Sequence, residues 1–232
     1  VVLAFLITRS ITGPTSKLVA ATNKMASGDF NFKLDIDSKD EVGQLAKGVE
    51  AIQAAVQRMI NDADLLARAA VDGKLATRAD ASKHQGDFQK VVTGVNNTLD
   101  AVINPLNVTA RYVDDIAKGV IPPVITDSYN GDFNIIKNNL NNMVRMMSDL
   151  LAQTDIIIRG AADGQLDKRA NADLFVGGWN QLVKGVNEAI TNIVDPMNVT
   201  ADYVDKVAKG IIPPVITTEY KGQYNIIKNN LN

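Results

Sequence analysis

The 232-residue sequence predicts an all-α fold of five concatenated helix–connector–helix units, each a parallel four-helix bundle completed by a second copy of the chain. A ladder of glycines and the heptad seams flanking each rung predict it. Gly28, Gly73, Gly119, Gly164 and Gly210 stand 45, 46, 45 and 46 residues apart, and self-similarity at such a period marks a repeat array. A second mark follows each rung, at Gly43, Gly86, Gly131, Gly178 and Gly222. Alternate copies are closer relatives: Pro105–Asn141 aligns without a gap on Pro196–Asn232, with 27 identities in 37 positions, so the full period is a pair of units 91 residues long. Each unit is too small to bury a core alone.

Composition narrows the function classes. The 24 basic and 26 acidic residues nearly cancel, so no field steers the chain toward nucleic acid. Cysteine is absent, which removes disulfides, thiol nucleophiles and cysteine metal sites together.

The elements follow in order. Val1–Ile7 is an apolar run followed by Thr8-Arg9-Ser10. It is short of the ~20 residues that cross a bilayer. It reads as the cytoplasmic end of a truncated transmembrane helix with Arg9 at the headgroups, the alternative being a buried strand or helix end. The first helix carries Ile11, Pro14, Leu18, Ala21 and Met25, steps of 3, 4, 3 and 4, a heptad seam. After its connector a second seam runs Val42, Leu45, Val49, Ile52, Val56, Met59 and continues unbroken into Ala63, Leu66 and Ala70, so one helix joins unit to unit. The later junction Val92, Val95, Leu99, Val102, Leu106, Thr109, Val113, Ile116 recurs as Val183, Val186, Ile190, Ile193, Met197, Thr200, Val204, Val207. Pro105 and Pro196 lie inside these junctions, where a kink or a helix restart is expected, with Asn104 and Asp195 as N-caps. The chain stops at Asn232 inside the last helix.

Each ladder glycine suits the left-handed conformation that ends a helix. The connector that follows has a fixed pattern, an apolar residue two after the glycine and another, or alanine, four later. These plug pairs are Phe30/Leu34, Leu75/Ala79, Ile121/Ile125, Leu166/Ala170 and Ile212/Ile216. A helix of about 16 residues is ~24 Å long and a connector of about 12 can stretch ~40 Å, enough to run back along the first helix and start the second parallel to it. Two parallel helices leave half of each seam wet, and a second chain would close the bundle.

Ile11-Thr-Gly-Pro14 after an apolar run, Gly28-Asp-Phe30, and Asp40-Glu41-Val-Gly43 ahead of a heptad helix resemble a HAMP domain, the signal-relay module below the membrane in bacterial receptors. The later units diverge, with Gly131-Asp-Phe133 and Gly222-Gln-Tyr224 in place of Asp40–Gly43, and the second and fourth lack the proline. The whole is similar to tandem HAMP arrays of methyl-accepting chemotaxis proteins and of some hybrid sensor histidine kinases. The resemblance implies a region on the cytoplasmic side of the inner membrane that relays helix motion to an output domain on the same chain. It implies no catalysis, cofactor, metal, small-molecule ligand or nucleic acid.

Other candidate chemistry has a plainer reading. His84, the one histidine, sits in a polar stretch with no carboxylate beside it in sequence and reads as a solvated loop residue. Asp40 and Glu41 read as capping and helix-dipole groups rather than an acid–base pair. Gly177-Gly-Trp179 lacks the Lys-Ser/Thr of a phosphate loop; Trp179 is expected to fill the bundle as Phe88 and Phe133 do. The asparagine runs Asn138–Asn142 and Asn229–Asn230 read as a solvated flank, and Met143, Met146 and Met147 as seam.

The sequence reading is a homodimeric relay: residues 1–10 a membrane-helix end, then units at 11–60, 61–102, 103–147, 148–193 and 194–232, the last truncated in its second helix. A kinase array and a passive coiled-coil spacer are the alternatives. Small or polar seam residues such as Ala63, Ala70, Thr109 and Thr200 argue against the spacer.

Overall fold

The structure, a computed structural model, describes residues 8–232; the expected membrane-helix end over Val1–Ile7 lies outside them. Every regular element among the described residues is helical. A π turn, Thr8–Thr12, leads into α1 (Gly13–Ala26), followed by α2 (Glu41–Val71), α3 (Gly86–Ala117), α4 (Gly131–Ala162), α5 (Gly177–Ala208) and α6 (Gln223–Leu231). Short 3-10 turns lie at Ala81–Lys83 and Ala172–Leu174. None of the described helices is long and apolar enough to cross a membrane.

Helix ends are set by the ladder glycines. All five have positive φ, from +72° to +85°, and each is followed by the same closing hydrogen bond: Asp29 N–H to Lys24 O, Lys74 to Ala69, Val120 to Asp115, Gln165 to Gly160 and Ile211 to Lys206, at 2.7–2.9 Å. This is the Schellman closure, which occupies carbonyls the helix end would leave bare.

The second set of marks is corrected at two places. Positive φ occurs at Gly86, Gly131, Gly177 and Gly222, so the fourth mark is Gly177 and not Gly178, as the 91-residue shift from Gly86 requires. Gly43 is helical, inside α2, and is glycine for want of room: a Cβ there would stand 1.8 Å from the Ser38 carbonyl oxygen. No restart occurs at the prolines either. α3 and α5 pass through Pro105 and Pro196, so Asn104 and Asp195 cap nothing. Proline removes a single backbone hydrogen bond, and both flanks stay helical.

Two compact units divide the chain, Val1–Val108 and Thr109–Asn232, with the boundary inside α3. In the first, Leu18 and Ala21 of α1, Leu34 of the connector and Ala46 and Val49 of α2 form one buried cluster. Hydrogen bonds give the chain direction. Lys17, early in α1, donates to the Asp35 carbonyl at 2.9 Å, whereas Gln53, in α2, donates to the Phe30 and Phe32 carbonyls at 2.9 and 2.6 Å. The connector therefore runs back along α1, and α2 is parallel to α1. The next connector repeats the path: its end, at His84, has returned to Asp62 of α2, and Asn96 of α3 lies beside Ala79. In the second unit Ala170, Phe175 and Val183 form a buried cluster, with Met146, Leu150 and Ile157 of α4 packed on it.

Candidate functional site in the connectors

Of the two plug positions, the structure buries one throughout. Leu34, Ala79, Ile125, Ala170 and Ile216 are 8%, 5%, 8%, 7% and 7% exposed. The earlier position is uneven: Phe30, Ile121 and Leu166 are half-buried, Leu75 is 41% exposed and Ile212 is 94% exposed. Ile212 thus departs from the pairwise pattern. It lies two residues past Gly210, as the other outer plugs lie past theirs, yet its own chain leaves it uncovered.

At the start of α2, Asp40 is the N-cap. Its Oδ1 accepts from the amides of Val42 and Gly43 at 3.0 and 3.1 Å and from the Ser38 hydroxyl at 2.6 Å. The Ser38 hydroxyl, then the Gly43 and Val42 amides, hold its carboxyl below the usual value of 3.8. Each bond stabilises the ionised form. Glu41 is exposed in the first turn, where a negative charge suits the helix N-terminus.

Three sets of residues whose part in the fold does not show in the local sequence hold the connectors. The first is asparagine. Asn96, Asn141, Asn187 and Asn232 each grip the backbone of the inner plug residue: Oδ1 accepts from the N–H of Ala79, Ile125, Ala170 or Ile216, and Nδ2 donates to the same residue's carbonyl, at 2.6–3.3 Å. Asn141 belongs to the run read as a solvated flank, yet it is 7% exposed; the connector backbone needs partners, and this amide supplies them. The signal in the sequence was an asparagine at 22 or 23 residues past each of the last four ladder glycines.

The second set alternates. Tyr112 and Tyr203 donate their hydroxyls to the Pro123 and Pro214 carbonyls. In the connectors that precede each of these, Arg78 donates to Asp100 and to the Leu75 and Thr77 carbonyls, and Arg169 to Thr191 and to the Leu166 and Lys168 carbonyls. The 3-10 turns Ala81–Lys83 and Ala172–Leu174 also occur only in this second pair of connectors, among the described residues.

The third is His84, which is 3% exposed and pairs through Nε2 with Asp62 Oδ2 at 2.6 Å. The expectation of a solvated loop residue is overturned, because folding brings in a carboxylate 22 positions upstream. Its Nδ1 is buried without a partner. One pair-repeat on, the same place holds Phe175, also 3% exposed. Trp179, by contrast, is 44% exposed and does not fill a core within its own chain. Met146 packs as seam, while Met143 is more open.

The seams are half covered. Val49, Val92 and Val183 are 7%, 4% and 3% exposed, and the next seam residues, Ile52, Val95 and Val186, are 50%, 43% and 41% exposed. Among the described residues the arrangement holds no cluster of His, Cys, Asp and Glu able to bind a metal.

Comparison with known proteins agrees with this geometry. Two family models, each described as HAMP domain, match residues 83–149 and 174–232, and residues 6–58. The methyl-accepting chemotaxis protein McpA of Bacillus subtilis is 22% identical over 219 residues, 90% of this chain and 30% of the relative. TlpB of the same organism is 39% identical over 59 residues, 25% of this chain and 9% of its own length. McpB of Pseudomonas aeruginosa, also a methyl-accepting chemotaxis protein, is 24% identical over 141 residues, 59% of this chain and 20% of its own. The chain thus spans less than a third of these relatives. With most of its length matched, the chain belongs to the HAMP domain family.

Proposed function

We propose that the chain is a signal relay of a transmembrane chemoreceptor, working as a parallel homodimer in which each of five helix–connector–helix units, at 11–60, 61–102, 103–147, 148–193 and 194–232, contributes half of a four-helix bundle. The half-covered seam carries this reading. At Val49 and Ile52, at Val92 and Val95 and again at Val183 and Val186, one seam residue is buried within the chain and the next stands exposed. An apolar stripe of this length asks for a second helix pair.

The alternating connector anchors support a two-packing relay. One pair of connectors is held by tyrosine with Ile125 or Ile216 as plug and the other by arginine with Ala79 or Ala170, a difference in plug size that would set different helix spacings. Helix motion entering from the membrane side would then shift each unit between packings, and a shared helix would pass the opposite bias to its neighbour, ending at an output domain on the same chain. A sensor kinase is a weaker reading. The histidine-protein kinase BaeS of Escherichia coli is 33% identical over 54 residues, only 23% of this chain, whereas the chemoreceptor match spans 90%.

Sedimentation equilibrium tests the assembly. A dimer that Val95→Glu with Val186→Glu dissociates is expected; a stable folded monomer of the unaltered chain would contradict the reading. For the relay, the chain placed between a chemoreceptor sensor and its signalling domain should give stimulus-dependent output.

A further inference from the structure

One side chain performs the same task in four connectors. The carboxamides of Asn96, Asn141, Asn187 and Asn232 close a ring of two hydrogen bonds onto the backbone of a single residue, and that residue is the buried plug. The chemistry is restrictive. A planar amide offers an acceptor and a donor side by side, an aspartate offers acceptors only, and glutamine sets the same group one methylene further out. At Ile125 the grip is sealed from water, with Asn141 at 7% and Ile125 at 8% exposed.

Apolar packing aside, the side-chain hydrogen bonds of the same connectors with the preceding helix are single and vary in kind. They are a tyrosine hydroxyl at Pro123 and at Pro214, the His84–Asp62 pair in one connector, and the Gln153 oxygen on the Asn171 amide in another. The first connector lacks the grip. Gln53 spends both its amide protons on the Phe30 and Phe32 carbonyls, and Glu50 and Ala51 occupy the places where asparagine would reach Leu34.

We propose that Asn96, Asn141, Asn187 and Asn232 are positioning residues that fix each plug to the helix following it, so that connector and following helix move as one body and the preceding helix is the part that shifts against them. In the first connector Gln53 ties α2 to the backbone at Phe30 and Phe32 and not at the plug, so there the plug is the part left to adjust, and the later four transmit. The proposal rests on the relay reading, which it deepens by naming the moving parts. It also separates plug size, which sets a packing, from plug anchoring, which decides which helix the packing follows.

Amide hydrogen exchange in the whole chain, read residue by residue, tests the grip. In the unaltered chain the Ile125 amide is expected to be protected although it lies in a connector. Asn141→Leu should speed its exchange about tenfold or more while the amides of α4 stay protected. Asn141→Asp, which keeps the shape and the acceptor, should speed it less and serves if the leucine variant fails to fold. In a receptor carrying this array, the same variants should lower stimulus-dependent output. An Ile125 amide that exchanges freely in the unaltered chain, or as slowly in Asn141→Leu, overturns the grip. A freed amide with undiminished stimulus-dependent output overturns its part in transmission. If instead the unaltered array gave no stimulus-dependent output, the relay reading would fall while the exchange result still stood.

Discussion

Replacing Gly43 with alanine is the sharpest test of how the first connector meets α2. A Cβ at this position would lie 1.8 Å from the Ser38 carbonyl oxygen and 2.5 Å from its carbon, backbone atoms that no side-chain rotation can move away. The end of the connector must retreat by more than an ångström, and Ser38 carries the hydroxyl that bonds Asp40, the residue capping α2. Overpacking of this kind costs ~1–3 kcal/mol and a lost N-cap ~1 kcal/mol, against a helix-propensity gain of ~1 kcal/mol for leaving glycine. The net expectation is a loss of ~1–3 kcal/mol. Gly48, in the same helix, has nothing within 4 Å of a built Cβ, so Gly48→Ala should instead gain ~0.5–1 kcal/mol. Urea unfolding followed by circular dichroism reads both. Equal effects of the two substitutions, or a stabilising Gly43→Ala, would refute the close approach.

Plug size gives a second expectation. Ile125→Ala should cost ~2–4 kcal/mol by leaving a cavity, and Ala79→Ile should cost ~1–3 kcal/mol by overfilling, both checked by thermal unfolding. His84→Phe should leave stability unchanged or raise it by ~1 kcal/mol, since a buried polar pair is often no better than packed hydrocarbon, the Asp62 side chain keeps 23% exposure to water, and Phe175 already fills the equivalent place. A clear loss in unfolding experiments would show that the His84–Asp62 bond is needed. Asp40 has a folded-state pKa below its ordinary 3.8, so its contribution is present above that value and is lost as pH falls through the lower folded-state value. An NMR titration should place the Asp40 midpoint below 3.8, and Ser38→Ala should move it up.

Periodicity made the architecture legible. Ladder glycines, heptad seams and the apolar residue six past each glycine sufficed to place helices, connectors and the inner plugs, because these are local patterns that backbone geometry enforces. What stayed hidden depended on partners distant in sequence. Asn141 reads as one more polar residue in an asparagine run until the connector returns and presents the Ile125 backbone. His84 has polar neighbours along the chain, and folding brings beside it a carboxylate 22 positions upstream. Gly43 resembles the helix-breaking glycines of later units, but its reason is a collision with Ser38 rather than a turn. At Pro105 and Pro196 no helix restart occurs, since the loss of one backbone hydrogen bond leaves both flanks helical.

The central claim is a parallel dimer whose successive units shift in opposite senses. The chain has no cysteine, so single cysteines can be introduced cleanly, and nitroxides at exposed flanks of two neighbouring units, Lys47 on α2 and Asn97 on α3, report the distance between the two copies of each site. Measured by pulsed electron resonance in a receptor held with and without stimulus, the account predicts a short interchain distance at both sites, and a stimulus-driven change that is positive at one and negative at the other. Changes of the same sign at both sites, or no measurable interchain distance at either, would contradict it.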